Sequence, residues 1–365
     1  MSTPRHVLEI DPAAIEANAA RLCEIVAPAQ LWAVVKADGY GHGGALAAAA
    51  ALAGGASRLV CSTLAEAAEL RRMLGSGPRI LVLAPLSEGE DHAAVGFEVV
   101  VSSRRSLARL QAAEVRCGVH IKLETGMGRW GMPAGDALAC GTLVRRDARL
   151  TLEGLMSHLA TADEADASFA HEQAARFVQV ADDFPPCPRH LANSAAALWL
   201  PDLRLDAVRC GIALYGIAPD GDGSRAGGLR PAMRWTSRVL ALKDLPIGGS
   251  AGYGRRFVAE RPARIALVPV GYADGYPRRA SGIADVLIRG ERRSVAATVS
   301  MDQLSCLVDD AVEVGDEVTL LGSQARARIS AEDLARASGT IAYETVCAIG
   351  AAAPRRGERR VAPPA

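Results

Sequence analysis

This 365-residue chain has few aromatic residues, no excess charge of either sign and no paired cysteines. Aromatics make up only 4% of the residues, so each tyrosine or tryptophan within a motif carries more weight. The 41 basic residues balance the 41 acidic ones, which argues against a nucleic-acid partner because such a partner calls for a basic patch. No apolar run approaches the length of a membrane span, so no membrane partner is predicted.

The eight cysteines form no C-x-x-C pair and show no Cys–His spacing typical of a metal site, so no metal is predicted. Scattered thiols suit a reduced, cytoplasmic protein. The first eleven residues also carry no apolar core of signal-peptide length. A composition of 50% hydrophobic and 22% charged residues is typical of a soluble globular protein, here long enough for two domains.

From Val7 to about Pro219, short apolar runs alternate with amphipathic or alanine-rich segments at the spacing of βα units. The runs predict strands over 31–35, 58–61, 80–83, 99–101, 119–123, 152–156 and 207–208, and the segments predict helices over 12–26, 45–53, 64–74, 103–113 and 169–182. This alternation favours an N-terminal (α/β)8 TIM-type barrel. A doubly wound open sheet is the alternative, but no G-x-G-x-x-G opens the chain, which weakens its dinucleotide-binding version.

A segment rich in Gly, Asp and Ser at 220–228 predicts a domain boundary. Beyond it the runs are short and closely spaced, which predicts strands over 237–242, 265–270, 284–288, 294–299, 304–308 and 317–321, with one helix over 331–337. We therefore predict a barrel domain at 1–228 and a mainly β domain at 229–365. The charged, proline-containing tail at 355–365 is expected to fray.

One lysine stands between a predicted strand and a glycine-rich turn, in the string Ala33-Val34-Val35-Lys36-Ala37-Asp38-Gly39-Tyr40-Gly41-His42-Gly43. Barrel strands deliver catalytic residues to the carboxyl face of the barrel. Burial there would lower the pKa of Lys36 and free its amine for Schiff-base chemistry. A lone lysine at a strand end is more often simply exposed, so the whole string carries the prediction.

Two further motifs place polar side chains at predicted strand ends. Arg129 ends the string Lys122-Leu-Glu-Thr-Gly-Met-Gly-Arg, where a guanidinium on a glycine-rich loop can bind a carboxylate bidentately. His158 follows the run at 152–156. Taken alone, the arginine is more often an exposed loop residue and the histidine a structural one.

Two more motifs suit an anion. Asn193 and Ser194 open a predicted helix, whose first N–H groups can hold a phosphate, although the same residues serve as an ordinary helix cap. Arg209 stands at a strand end, and Gly211 two residues later lets the backbone approach a phosphate closely.

These motifs, in this order and preceded by Lys36, resemble those of the alanine racemases. The second half adds Gly252-Tyr253-Gly254, Gly271-Tyr272-Ala273-Asp274-Gly275-Tyr276-Pro277, Ser300-Met301-Asp302-Gln303 and Ala342-Tyr343-Glu344. The resemblance covers nearly the full chain. It implies an (α/β)8 barrel followed by a mainly β domain, pyridoxal 5'-phosphate as cofactor, alanine as the small-molecule substrate, and a head-to-tail homodimer with active sites at its interface.

The resemblance also implies roles. Lys36 would hold the cofactor and act as one base, and Tyr253 of the second copy would be the other, because racemisation needs an acid/base on each face of the planar Cα. The cofactor-binding residues would be Lys36, Tyr40, His158, Ser194, Arg209, Gly211, Ile212 and Tyr343. Arg129 and Met301 would bind the substrate carboxylate, supported by Lys122, Tyr272 and Asp302. Lys122 matches a position that is often carbamylated, and Asp163, Tyr272, Arg278 and Ile341 match a substrate corridor.

Three residues depart from the family pattern. Glu124 replaces the usual aspartate, Trp130 replaces a commoner aliphatic residue, and Thr298 falls where an arginine is common at the outer gate of the corridor. Thr298 leaves open a racemase of broader or shifted specificity, for serine or another amino acid.

Two other functions share part of this pattern. A fold-type III decarboxylase of basic amino acids would carry an acidic residue where Arg209 stands. A non-catalytic pyridoxal-phosphate carrier would resemble the barrel alone. We therefore predict an alanine racemase that supplies D-alanine for cell-wall peptidoglycan, although a catabolic role is equally compatible with the residues.

Overall fold

The structure is a computed structural model that describes residues 4–225 and 227–362. In chain order, its strands are β1 (His6–Ile10), β2 (Gln30–Val34), β3 (Arg58–Cys61), β4 (Ile80–Val82), β5 (Glu98–Val101), β6 (Cys117–Lys122), β7 (Leu150–Met156), β8 (Arg189–His190), β9 (Ala207–Cys210), β10 (Met233–Arg238), β11 (Ala241–Leu245), β12 (Ser250–Ala251), β13 (Phe257–Val258), β14 (Ala263–Val268), β15 (Asp285–Ile288), β16 (Glu291–Ser294), β17 (Leu304–Val308), β18 (Glu317–Gln324), β19 (Ala327–Ile329) and β20 (Glu358–Val361). The helices are α1 (Pro12–Val26), α2 (Lys36–Tyr40), α3 (Gly44–Ala53), α4 (Leu64–Leu74), α5 (Arg104–Ala112), α6 (Ala134–Arg146), α7 (Ser168–Ala181), α8 (Ser194–Trp199), α9 (Ala331–Ser338) and α10 (Ala342–Ala352).

Eight parallel strands form a barrel in the order β8-β7-β6-β5-β4-β3-β2-β9. The two end strands meet through the N–H groups of Asp206 and Arg209, which donate to the carbonyls of Arg189 (3.1 Å) and Ala192 (3.0 Å). Every residue of β3, β4 and β5 is buried, as expected for parallel strands that are covered on both faces. The predicted barrel fold is confirmed.

Side-chain caps mark the starts of helices α1 and α4. Asp11 caps α1 by accepting the Ala14 N–H at 3.0 Å, and Pro12 occupies the first turn, where its missing N–H costs nothing. Thr63 and Glu66 form a reciprocal capping box at the start of α4. These two caps fix the loops that enter α1 and α4.

A second sheet, in the order β16-β15-β18-β10-β1-β20 with β19 paired to β18, supports the mainly β part of the chain. Strand β1 pairs antiparallel with β10 and parallel with β20, so both ends of the chain join this sheet. The expectation of a frayed tail is wrong for residues 358–361, and residues 363–365 lie outside the described residues. The division of the chain at residues 228 and 229 stays a prediction, and β1 crosses it.

Smaller β elements complete the second half. Strands β11, β14 and β17 form an antiparallel sheet, and β12 pairs with β13. The predicted strand at 237–242 is in fact two strands, β10 and β11, and the run at 294–299 lies mostly beyond β16. The helix predicted at 331–337 is confirmed as α9. Among the described residues, no helix combines the length and apolar content needed to cross a membrane.

Candidate active site

A cavity of about 460 Å³ opens at the carboxyl ends of the barrel strands. Ten of the predicted site residues line it, namely Lys36, Tyr40, Lys122, Arg129, His158, Ser194, Arg209, Gly211, Ile212 and Tyr343. Most follow or end a barrel strand, as Lys36 follows β2 and Lys122 ends β6. The fold therefore brings together residues that lie up to three hundred positions apart in the sequence.

Lys36 begins the five-residue element α2, whose backbone is a left-handed turn rather than a right-handed helix. The φ angles of the next four residues, Ala37, Asp38, Gly39 and Tyr40, are 53°, 52°, 64° and 53°. A left-handed conformation costs a residue other than glycine about 1–2 kcal/mol, so surrounding contacts must hold this turn. The Asp38 carboxylate accepts the Gly44 N–H at 2.6 Å and pairs with Arg359 at 3.0 Å.

Glu66 fastens the same turn to the neighbouring strand. Its carboxylate accepts the Ala37 N–H at 2.7 Å and the Ser62 N–H at 2.7 Å, in addition to the Thr63 N–H of the helix cap at 3.2 Å. One side chain thus satisfies three backbone donors from two loops. Sequence reasoning did not single out Glu66, although its place three residues after Thr63 is a capping-box signal.

The amine of Lys36 lies in an environment that disfavours its charge. Burial lowers the pKa of Lys36, and the nearby guanidinium of Arg129 lowers it further. A lysine with a lowered pKa is a better nucleophile and a better proton acceptor near neutral pH.

Arg209 is held by its terminal nitrogens. Nη1 donates to His190 Nδ1 at 2.7 Å and to the His190 carbonyl at 2.9 Å, and Nη2 donates to the Ser157 carbonyl at 2.7 Å and approaches His158 Nδ1 at 3.3 Å. The Nε–H has no acceptor among the described residues, and Arg209 lines the cavity. Burial lowers the pKa of Arg209 to about 10, which still leaves the guanidinium charged at neutral pH.

A buried hydrogen-bonded chain continues from Arg209 into the barrel. Because a guanidinium only donates, His190 Nδ1 must accept, and a neutral His190 then carries its proton on Nε2, 3.0 Å from His120 Nδ1. His120 Nε2 in turn lies 2.9 Å from Glu98 Oε2, and Arg58 pairs with the same oxygen at 2.8 Å. Burial lowers the pKa of both histidines, which favours the neutral form of each ring.

The three side chains predicted to hold a phosphate, those of Tyr40, Ser194 and Tyr343, all line the cavity. Ser194 Oγ accepts the Gly211 N–H at 2.9 Å, which leaves its own hydroxyl proton free to donate. The rings of Tyr40 and Tyr343 lie 6.2 Å apart, and burial raises the pKa of both phenols, so both stay protonated donors. A Cβ on Gly211 would lie 2.4 Å from Tyr40 Oη, so only glycine fits beside this hydroxyl.

Arg129 is exposed on its loop, and its guanidinium lies 5.4 Å from the centre of the Trp130 ring. Lys122 is 3% exposed, and burial followed by the charges of Arg209 and Arg129 lowers its pKa to about 7. The longer side chain of Glu124 accepts the Gly126 and Gly128 N–H groups and so shapes the loop that carries Arg129.

The predicted site residues of the second half lie elsewhere. Tyr253, Met301 and Tyr272 do not line the cavity, and their side chains are 73%, 53% and 42% exposed. The loops of Met301 and Tyr272 are joined, because the Tyr272 N–H donates to the Ser300 carbonyl and the Ala273 N–H to the Met301 carbonyl, both at 3.1 Å.

Arg356 forms ion pairs with both of these loops. Its guanidinium pairs with Asp302 on the Met301 loop, and with the fully buried Asp274 on the Tyr272 loop at 3.5 Å. His6 approaches Asp274 from β1 at 3.4 Å. The predicted supporting residue Asp302 thus pairs with Arg356 and does not line the cavity, and its supporting role stays a prediction.

Family models for the alanine racemase N-terminal and C-terminal domains match residues 10–219 and 232–357. The chain is also 42% identical over 362 residues to the alanine racemase of Thermobifida fusca, covering 95% of this chain and 96% of that relative. The chain belongs to the alanine racemase family. The resemblance inferred from the motifs is thereby confirmed.

Solved alanine racemases have the same fold as this family member. The Enterococcus faecalis (E.faecalis) alanine racemase superposes with a TM-score of 0.92 at 33% identity, covering 99% of this chain and 100% of the other. The Bartonella henselae alanine racemase, solved with covalently bound pyridoxal phosphate, gives 0.89 at 27% identity, covering 99% and 100%.

Proposed function

We propose that this chain is an alanine racemase that holds pyridoxal phosphate on Lys36 and interconverts L-alanine and D-alanine. The observation that carries the proposal is the meeting of Lys36, Arg129 and Arg209 in one cavity, in a member of this family. The pyridoxal phosphate bound covalently to the Bartonella relative supports the same cofactor here.

The residues of the cavity fit this cofactor. A volume of about 460 Å³ is within the usual range for small-molecule sites. The hydroxyls of Tyr40, Ser194 and Tyr343 would donate to its phosphate oxygens. The unpartnered Nε–H of Arg209 would donate to its pyridine nitrogen, and since a guanidinium does not release its proton, that nitrogen would stay unprotonated.

When bound, pyridoxal phosphate withdraws electrons from the substrate and makes the Cα proton acidic. Lys36 would then move a proton to or from Cα on one face, a role that its lowered pKa favours. Arg129 would hold the substrate carboxylate by charge-assisted hydrogen bonds. Lys122 would position Arg129 from behind.

A second base must serve the opposite face, and we assign it to Tyr253 of a second copy of this chain. Tyr253, Met301 and Tyr272 are exposed and lie outside the cavity of their own chain. We therefore propose a homodimer in which each copy supplies these residues to the other's cavity. The Met301 backbone would complete the carboxylate site, and Tyr272 would narrow the space left for the substrate side chain.

The setting is also a proposal. We infer a cytoplasmic enzyme, since all eight cysteines are free thiols. Its D-alanine would serve peptidoglycan synthesis, and the barrel and β domains would divide at residues 228 and 229.

Proton NMR tests the proposal. L-alanine, L-serine, L-lysine and L-arginine are each incubated with the protein and pyridoxal phosphate in D₂O, and D-alanine is measured by a chiral assay. Cα exchange of alanine with formation of D-alanine, and little reaction of the others, is expected. Exchange across several amino acids would indicate a broader racemase, loss of the carboxylate would indicate a decarboxylase, and no turnover would refute catalysis.

The attachment site can be tested separately, because the chain contains only three lysines, Lys36, Lys122 and Lys243. After cofactor loading, borohydride reduction and peptide mapping should find the pyridoxyl group on Lys36 alone. Lys36→Ala should lose the cofactor absorbance that this linkage produces, whereas Lys243→Arg should keep it. Label on Lys122 or Lys243 in the wild-type protein would contradict the assignment.

A further inference from the structure

Position 298 was expected to lie at the outer gate of the substrate corridor, where a missing arginine would broaden or shift the substrate specificity. In the structure, Thr298 is only 5% exposed. Its hydroxyl donates to the Tyr253 carbonyl at 2.9 Å. This threonine therefore touches the loop that carries Tyr253.

Apart from the pairing of β12 with β13 at its two ends, that loop has little other support. Residues 252–256 are all exposed, and Gly252, Gly254 and Arg255 have positive φ angles of 69°, 73° and 49°. Glycine adopts such angles freely, but the left-handed conformation of Arg255 is costly and must be held by specific contacts. The remaining side-chain bond nearby, from Arg255 Nε to Ser250 Oγ at 3.2 Å, lies on the exposed surface.

The base of the loop packs directly on the segment that contains Thr298. A Cβ added to Gly252 would lie 2.8 Å from the Ala297 Cβ and 3.2 Å from the Thr298 N atom. The close approach of Gly252 and the hydroxyl of Thr298 thus fix two successive residues of the loop.

The same segment continues to Met301, which is joined by backbone hydrogen bonds to the loop of Tyr272. Thr298 therefore links the proposed second base to the two other residues that this copy would bring to the site. We propose that Thr298 is a positioning residue for Tyr253, which sets where the phenol stands relative to the substrate Cα. This inference rests on the proposed function.

Three variants distinguish the effect of the Thr298 hydroxyl from a general effect on folding. Thr298→Val keeps the shape and removes the donor, and Thr298→Ser keeps the donor. Thr319→Val is the matched control, because Thr319 is also buried in the second half but its hydroxyl has no hydrogen-bond partner among the described residues. Circular dichroism and cofactor absorbance show whether each variant folds and loads.

The readout is Cα deuterium exchange, measured separately from L-alanine and from D-alanine. Tyr253→Phe should impair exchange from one enantiomer far more than from the other. Thr298→Val should slow that same direction by about 5- to 10-fold, as expected for loss of one hydrogen bond, and change the other direction much less. Thr298→Ser and Thr319→Val should stay near wild type, and Thr298→Val should add little to Tyr253→Phe.

An equal loss in both directions, or a loss that Thr298→Ser does not rescue, would overturn the positioning role. Unchanged exchange with faster turnover of L-serine in Thr298→Val would restore the gate interpretation. If Tyr253→Phe itself impaired both directions equally, the proposed pair of bases would fail instead, whatever Thr298 does.

Discussion

Lys122 should react reversibly with carbon dioxide in the folded protein, while the exposed Lys243 should not. The reaction joins a neutral amine nitrogen to the carbon of CO₂ and releases a proton, so it needs an uncharged lysine and gives an anionic carbamate. Burial and the charges of Arg209 and Arg129 lower the pKa of Lys122 to about 7. The two guanidinium groups that disfavour the ammonium would favour the carbamate.

The size of the effect follows from the two pKa values. At pH 8, a lysine with a pKa of about 7 is about 90% neutral, whereas an ordinary lysine with a pKa of ~10.4 is neutral in about 0.4% of molecules. Lys122 therefore presents about 200 times more reactive amine than an ordinary lysine does. Carbamate formation at Lys122 should rise as the pH passes through about 7, roughly three units below the rise expected for an ordinary lysine.

The assay is carbon-13 NMR of the protein in labelled bicarbonate. One carbamate resonance is expected, absent from Lys122→Met and unchanged in Lys243→Arg. Lys122→Gln should also raise the KM for alanine, because Arg129 loses its neighbour. No resonance above pH 8, or a resonance that survives Lys122→Met, would refute the reasoning.

The same pKa shift predicts a pH-dependent stability. The folded state holds Lys122 neutral above about pH 7, while the unfolded chain stays protonated up to its usual pKa of 10.5. The unfolded chain therefore binds the extra proton between these values, and the free energy of unfolding should rise with pH by up to about 1.4 kcal/mol per unit there. In buffers free of CO₂, denaturant titrations of Lys122→Met should lack this contribution.

Three further changes test the supports of the site. Glu66→Ala removes the acceptor that holds the Ala37 N–H, so the free energy of unfolding should fall by about 1–2 kcal/mol, measured by urea denaturation against Glu66→Gln. Gly211→Ala would press a methyl group against Tyr40 and should weaken cofactor binding at least about tenfold by fluorescence titration; unchanged affinity would show that the phenol moves freely. Arg356→Ala removes the ion pairs that join the Met301 and Tyr272 loops, so it should raise the KM for alanine more than it lowers kcat. Arg360→Ala is the control, because it removes only an exposed ion pair and should change neither constant.

The barrel could be predicted from the sequence because its strands are buried on both faces and read as continuous apolar runs. The two-residue strand β8 escaped detection, since Arg189 and His190 are polar and the strand is short. Strand β20 was missed for a related reason. It lies at the edge of its sheet, and edge strands often carry charged side chains, so its Glu-Arg-Arg-Val sequence looked solvated.

The barrel side of the site was predictable from motifs, but the groups behind it were not. His120 lies two residues before Lys122 on β6 and therefore points to the same face, one layer deeper in the barrel. The two-residue alternation of side chains along a strand could therefore have identified His120 as an inward-facing polar residue. Its partners could not be found this way, because the approach of His190 and Glu98 depends on strand order and register rather than on local sequence.

The residues expected from the second copy raise a different question, because in this chain they lie outside the cavity. Within that chain, however, Tyr253, Met301 and Tyr272 are not independent. Thr298 connects Tyr253 to the segment that contains Met301. Backbone hydrogen bonds connect the Met301 segment to the loop of Tyr272. In the proposed homodimer, a change in how the two copies dock would therefore move all three together and alter substrate binding and proton exchange in parallel. A change at Thr298 acts inside this group and should separate the two effects.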